Sequence, residues 1–256
     1  MKIGILQCDD VREELREQGF DNYPQMFKQR LHEVDPDLEF TVYRCLDGEI
    51  PERVDECDAF ITTGSRYSAL DDDPWIDALG KFMVKLVEAR VPLVCICFGH
   101  QLLAKAMGGK VEKASVGWGV GVSQNTVNQK AGWMGDEAMT NVNLIVSHQD
   151  QVTEVPEGMT VMGGSDFCPV YFCLAGDSAL TIQGHPEFSR AYSKALMEMR
   201  RGLIADDVID AGMKSLDLRV DDCEVFRWIV QFMKQPTGEH MNSSSQPEQS
   251  KSASSA

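Results

Sequence analysis

The segment from 91 to 104, VPLVCICFGHQLLA, runs a short apolar stretch into Cys97 and then at once into a helical pattern. A strand-to-helix turn of this kind lifts a side chain clear of a sheet, and Gly99 two positions on leaves room for the backbone. A cysteine held there can do nucleophilic chemistry. It faces the unpaired N–H groups and the positive dipole end of the following helix, which favour the thiolate. The amide N–H of Phe98 would point at an oxyanion formed beside the sulfur. Strand alternation puts Cys95 on the same side as Cys97, so periodicity leaves a second reading open, in which Cys97 is a buried structural thiol. Position at the strand end favours the chemical reading.

A cysteine nucleophile needs a base, and the chain has five histidines: His32, His100, His148, His185 and His240. His240 stands in a polar tail, His32 on a polar helix face, and His100 inside the helix that follows the nucleophile. His185 differs. Residues 178–183 (SALTIQ) read as an apolar strand followed by Gly184-His185-Pro186-Glu187-Phe188, which sets the imidazole on a loop at a strand end. Glu187 is near enough to hold one ring nitrogen while the other faces a thiol. An isolated H-x-E is also a common surface pattern, so this pair alone leaves a loop histidine beside a surface carboxylate as the other reading.

The elements that must position these residues follow from periodicity. Strands are expected at 2–7, 38–44, 58–63 and 92–96, alternating with helices at 24–34, 74–90 and 98–108. Such alternation argues for an α/β fold with a mostly parallel sheet covered on both faces. From about 110 to 184 the pattern changes to short strands and turns, with strands expected at 119–125, 141–147, 159–163, 168–174 and 178–183. Helices return at 188–204, about 206–214 and 221–234. These elements make one domain over 1–235. The stretch 236–256 is Ser-rich and almost free of large apolar side chains, so a disordered tail is expected there.

Bulk properties exclude several classes. The chain has 256 residues, 43% hydrophobic and 25% charged, enough to bury a sizeable core. A net charge of -16 argues against a nucleic-acid backbone or an anionic membrane as partner. No apolar run is long enough to cross a bilayer, and the N-terminal apolar stretch is too short for a signal peptide, so a reducing cytoplasm is expected. The eight cysteines are scattered without a C-x-x-C pair. Cys95 and Cys97 have no second ligand pair at zinc spacing, so no metal or other cofactor is expected.

Together, C-F-G-H-Q at 97–101 and G-H-P-E at 184–187 resemble the class I, triad-type glutamine amidotransferases, over roughly residues 1–235. Within that family the chain is similar to small stand-alone members, including the plant γ-glutamyl peptidases. The resemblance implies a flavodoxin-like single domain and a Cys97-His185-Glu187 triad that opens the γ-carboxamide of glutamine or a γ-glutamyl compound through a thioester. It implies oxyanion donors at Phe98 and at the Gly64-Ser65 loop after the third strand. It also implies that Gln101, Ser147, His148 and Asp150 bind the amino-acid end of a small-molecule substrate, with the Asp150 carboxylate facing the α-ammonium. Gly117-Trp118-Gly119 would line the pocket or form a strand turn. Two departures stand out: Gly64-Ser65 replaces the paired glycines of many synthase-linked members, and Cys95 stands where those members usually have Gly.

The motifs leave the leaving group open. Delivery of ammonia to a separate synthase, free-standing γ-glutamyl hydrolysis, and a non-catalytic γ-glutamyl sensor on the same fold all share them. A small chaperone or deglycase fold also places Cys on such a turn, but it does not account for G-H-P-E or the S-H-Q-D segment at 147–150.

Overall fold

The structure is a computed structural model that describes residues 1–135 and 139–235. The segment 236–256, expected from composition to be a tail, lies outside the described residues.

In chain order the first half contains β1 (Lys2–Gln7), α1 (Glu13–Arg16), α2 (Tyr23–Val34), β2 (Glu39–Arg44), β3 (Ala59–Thr62), α3 (Pro74–Glu88), β4 (Leu93–Ile96) and α4 (Phe98–Ala106). The middle contains β5 (Lys110–Lys113), β6 (Gly119–Val127), β7 (Asn141–His148), β8 (Asp150–Glu154), β9 (Met159–Gly164), β10 (Phe172–Ala175) and β11 (Ala179–Ile182). Three helices close the described chain: α5 (Arg190–Met199), α6 (Asp206–Ser215) and α7 (Asp222–Lys234).

Nine strands form one sheet in the order β2-β1-β3-β4-β11-β10-β9-β6-β7. The first five are parallel to one another, and the β10-β9-β6-β7 extension is antiparallel. β3, β4 and β11 are buried along their whole length. That burial is why they read as near-continuous apolar runs, broken only by Thr62 and Thr181, and not as alternating ones. On one face the core gathers Ile3, Ile5, Val94 and Ile96 under Phe27 of α2 and Trp228 of α7. On the other, Leu6, Phe60, Leu93 and Cys95 pack against Phe82 of α3 and Leu102 of α4.

Local chemistry starts the helices where the sequence suggests. Asn22 caps α2, its side-chain oxygen accepting from the Tyr23 amide at 3.0 Å, and Pro24 occupies the first turn. Pro74 opens α3, whose buried face carries Ile76, Leu79, Phe82, Met83 and Leu86 at helical spacing. Ser189 caps α5 by accepting from the Tyr192 amide at 3.1 Å. α5 ends at Met199, short of the 204 that apolar spacing suggests. Gly202 adopts φ +86° just beyond, where the chain turns away.

The strands β5 and β8 and the short helix α1 are among the additions to the sequence reading. β5 and β8 form a separate antiparallel ribbon beside the main sheet, with Lys113 opposite Asp150. Their residues are largely polar and exposed, so neither carries an apolar run that marks a strand. Asp150 is the first residue of β8.

Candidate active site

Parallel pairing brings three strand ends together. Ile96 of β4 stands opposite Ile182 of β11, so the residues that follow, Cys97 and Gln183, leave the sheet side by side. β3 flanks β4 on the other edge and ends at Thr62, delivering Thr63 and Gly64 to the same rim. Ligand sites of open α/β sheets form at such carboxyl ends.

Cys97 has φ +49° and ψ −96°, a conformation that a residue with a side chain adopts only when its surroundings enforce it. Two contacts enforce it here. The Cys97 amide donates to the Ile182 carbonyl at 2.8 Å, keeping one foot in the sheet, while its carbonyl accepts from the Gln101 amide at 3.1 Å, the first turn of α4. Gly99 makes the turn possible, because a Cβ there would stand 2.0 Å from the Thr62 hydroxyl. That hydroxyl in turn accepts from the Ile96 amide at 3.0 Å. The thiol of Cys97 is thus presented at the helix N-terminus, in a recess where the residue is 5% exposed.

Cys95 has the other fate. It lies inside β4, fully buried in the apolar layer under α3 and α4, and burial pushes its thiol well above the ordinary value. One residue beyond a strand end separates a presented sulfur from a packed one.

His185 faces the same rim. Its amide donates to the Ile145 carbonyl at 2.8 Å, which fixes the loop against β7. Its ring stacks on Phe188, centroids 4.0 Å apart and planes 11° apart. Nδ1 lies 2.7 Å from Glu187 Oε1, and both side chains are almost completely buried. With Nδ1 carrying the proton given to Glu187, Nε2 is the nitrogen left for a proton from sulfur. Burial disfavours the charged imidazole, but Glu187 and the Cys97 sulfur together outweigh it and raise His185 to about 10. The buried histidines nearby behave oppositely: desolvation pushes His100 down to about 3 and His148 down to about 4. Among the described residues neither has a carboxylate in ion-pair distance of its ring, as His185 does. His185 is the histidine electrostatically prepared to hold a proton beside the Cys97 sulfur.

Gly64 lies against the imidazole, where a Cβ would come within 2.6 Å of His185 Cε1. Its lack of a side chain lets the Thr63-Gly64-Ser65 loop close over the ring. The Ser65 hydroxyl donates to the Cys8 carbonyl at 3.1 Å and accepts from the Tyr67 amide at 3.1 Å, so it shapes the loop. Phe98 is the first residue of α4, and its ring stacks on Trp75 at 5.5 Å.

The thiol opens into a cleft of about 340 Å³ whose lining includes Cys97, Gln101, Ser147, His148 and Asp150. The expected recognition residues therefore share one cleft, with distinct contacts. Gln101 Nε2 donates to the Asp150 carbonyl at 2.8 Å and to Gln183 Oε1 at 3.0 Å. The Ser68 hydroxyl donates to the Asp150 carboxylate at 2.5 Å. His148 Nδ1 lies 3.2 Å from the Asp150 carbonyl, and the Ser147 hydroxyl accepts from Arg200. Trp118 lines the cleft, whereas Gly119 opens β6 and packs on Phe167.

Three residues escaped the sequence reading. Gln183 donates from Nε2 to the Cys97 sulfur at 3.4 Å. Its place beside Cys97 could have been read from the parallel pairing of the two motif strands. Ser68 and Arg200 carry no local signal, because each meets its partner across a long stretch of chain. Among the described residues no group of three His, Cys, Asp or Glu side chains could hold a metal ion, and no helix is long and apolar enough to cross a membrane.

Comparison with known proteins bears on this geometry. Gamma-glutamyl peptidase 5 of Arabidopsis thaliana is 37% identical over 158 residues, covering 59% of this chain and 63% of the peptidase. The match thus spans less than two thirds of that relative's length. A glutamine-hydrolyzing GMP synthase subunit of Archaeoglobus fulgidus is 34% identical over 115 residues, 44% of this chain and 62% of that relative. The crystal structure of a glutamine amido transferase from Methylobacillus flagellatus superposes with a TM-score of 0.70 at 19% identity. It covers 91% of this chain and 93% of that one, a likeness of fold. The profile of the family named Glutamine amidotransferase class-I matches residues 21–200, from just before α2 to the end of α5. That stretch holds both strand ends on which Cys97 and His185 stand, and the chain belongs to the class I glutamine amidotransferase family.

Proposed function

We propose that this chain is a cysteine-dependent hydrolase that cleaves the γ-amide of glutamine or of a γ-glutamyl compound through a γ-glutamyl thioester. One observation carries the reading: a strained Cys97 at a helix N-terminus shares a buried rim with a His185 whose Nδ1 is held by Glu187 at 2.7 Å.

The steps follow from the groups present. Cys97 thiolate attacks the γ-carbonyl carbon, and the negative charge that develops on oxygen is held by backbone N–H groups of Phe98 and the Gly64-Ser65 loop. The C–N bond then breaks, and the imidazolium of His185 gives its proton to the leaving nitrogen. Neutral His185 next takes a proton from water. The hydroxide adds to the thioester, the C–S bond breaks, and glutamate leaves with the thiolate regenerated. Glu187 keeps the ring in one tautomer and favours its charged form in both halves of the cycle. Gln101, the backbone at Ser147 and His148, and the Asp150 carboxylate bind the amino-acid end.

A leaving group larger than ammonia is the reading we favour within this chemistry, supported by the open cleft and the likeness to gamma-glutamyl peptidases. The likeness to a GMP synthase component supports a second reading, ammonia delivery to a separate synthase. Residues 1–235 would act as the catalytic domain in either case. A reducing, cytoplasmic setting fits eight unpaired cysteines.

The test is glutamate release by the purified chain from glutamine and from γ-glutamyl dipeptides, beside Cys97→Ala. Turnover of the dipeptides in preference to glutamine is expected, with a loss of about ten-thousandfold or more in the variant. Preference for glutamine alone would favour the synthase-linked reading. Absence of turnover, together with a Cys97 that resists a glutamine-mimicking electrophile, would defeat the proposal.

A further inference from the structure

The walls of the cleft carry more positive charge than a glutamyl group needs, and the surplus lies on one side. Arg12, Lys113 and Arg200 all line it, and none has a carboxylate within ion-pair distance among the described residues. In a chain of net charge -16, free cations gathered at one cleft call for a reason. The acidic side chains on these walls and in the adjoining recess are already engaged. Asp9 pairs with Arg66 and Asp10 with Arg44, while Asp71 accepts from the Ser68 amide and Asp150 from the Ser68 hydroxyl.

The two ends of the cleft differ in kind. At one end Lys113 stands opposite Asp150 in the β5–β8 ribbon, offering one cation and one anion to a zwitterionic amino-acid end. At the other end Arg12 and Arg200 line both the main cleft and a narrow recess beside His185, a recess that Ser147 also lines, its hydroxyl turned to Arg200, and that Gln101 and Asp150 do not reach. His185 is the group that would hand a proton to the leaving nitrogen, so whatever follows that nitrogen extends toward Arg12 and Arg200.

Arg200 is built as a fixed receptor. It follows the last residue of α5, its guanidinium lies over the Trp118 ring at 5.2 Å, and Nη1 donates to the Ser147 hydroxyl. Stacking and one neutral acceptor orient the planar fork while leaving N–H groups for a bidentate partner. A half-buried guanidinium ordinarily comes with an anion, and here the described residues supply none.

Resting on the hydrolase reading above, we infer that Arg200, with Arg12 beside it, is a specificity-determining residue that binds a carboxylate on the leaving group. The substrate class is then a γ-glutamyl amino acid or peptide with a free C-terminal carboxylate, not glutamine or a neutral γ-glutamyl amide. The bond broken is the same γ-amide, and the amino acid or peptide departs with the proton from His185.

The experiment compares L-γ-glutamyl-alanine with L-γ-glutamyl-alaninamide on one preparation of the full chain, with glutamine alongside. The native protein should cleave the acid with a kcat/KM about tenfold or more above the amide, as expected for a charge-assisted hydrogen bond. Arg200→Met should bring the ratio near one, and Arg200→Lys should give an intermediate value. Both substrates meet the same molecules, so the ratio is independent of the fraction folded. If Arg200→Met does not fold, the native ratio and Arg200→Lys still decide. Equal cleavage of acid and amide by the native chain, or a ratio that survives in Arg200→Met, overturns the inference while leaving the hydrolase reading intact. No glutamate from any of the three substrates overturns the hydrolase reading itself, and this inference with it.

Discussion

The cleft has two walls, and they are made in different ways. One is the rim formed by the ends of β3, β4 and β11, where Gly64, Cys97, Gln183 and His185 stand one to three residues beyond buried parallel strands. Their mutual positions follow from strand register, and their polar atoms engage one another: His185 with Glu187, Gln183 with both Cys97 and Gln101. The other wall joins Trp118, Ser147 and Arg200 from β7 and the flanks of β6 and α5, side chains that meet only when the antiparallel extension packs on the C-terminal helices. The polar groups of the strand-end wall are held by one another, the preorganisation that a bond-breaking site would need. The second wall keeps unused donors, as a surface that reads a variable partner requires.

This contrast can be broken most severely at Glu187. Glu187→Gln should lower kcat by about a hundredfold or more, since the ring loses both its tautomer control and its charge partner. The His185 titration, followed by NMR, should fall from about 10 toward and below neutrality, because burial then acts with little opposing it. Stability provides a second readout. His185 binds its proton more tightly folded than unfolded, so its contribution is fully present below about pH 6.5 and lost as pH rises through about 10. The gap in melting temperature between native chain and variant should therefore close between those values. A gap that widens over that window would show that Glu187 does not hold the imidazolium.

A smaller effect is expected at Gln183. Gln183→Glu keeps the shape and the acceptor for Gln101, but sets a carboxylate where an N–H donor now lies 3.4 Å from the Cys97 sulfur. Alkylation of Cys97 at neutral pH should slow by about tenfold. An unchanged rate would mean that the amide does not influence the thiolate. The smallest effect belongs to Cys95. Cys95→Ala removes a packed sulfur from the core and should cost on the order of 1 kcal/mol in denaturant unfolding, with kcat unaltered. A fall in kcat there would erase the distinction between the two cysteines.

The strand-end wall was legible because each of its parts is local. An apolar strand running into C-F-G-H-Q, and another running into G-H-P-E, announce both the element and the residue that leaves it. The strands of the parallel half and the helices that cover them were readable for the same reason: Ile76, Leu79, Phe82, Met83 and Leu86 repeat at helical spacing, and β3, β4 and β11 are buried runs. β5 and β8 were not readable, since a two-stranded ribbon of polar residues shows no periodic apolar signal. Asp150 was picked out by motif, but its acceptance from Ser68, 82 residues away, follows from no local pattern.

By itself the sequence determined the class of fold, the sharp turn at Cys97, and the pairing of His185 with Glu187, because strand ends and neighbouring residues are set by short-range sterics and hydrogen bonding. Only the tertiary structure decided that Cys97 is presented and Cys95 packed, that Gln183 touches the sulfur, and that Arg200 reaches the cleft with no carboxylate in ion-pair distance among the described residues. Those facts depend on which strands lie side by side and which helices pack across them, and that follows from burying the whole core at once.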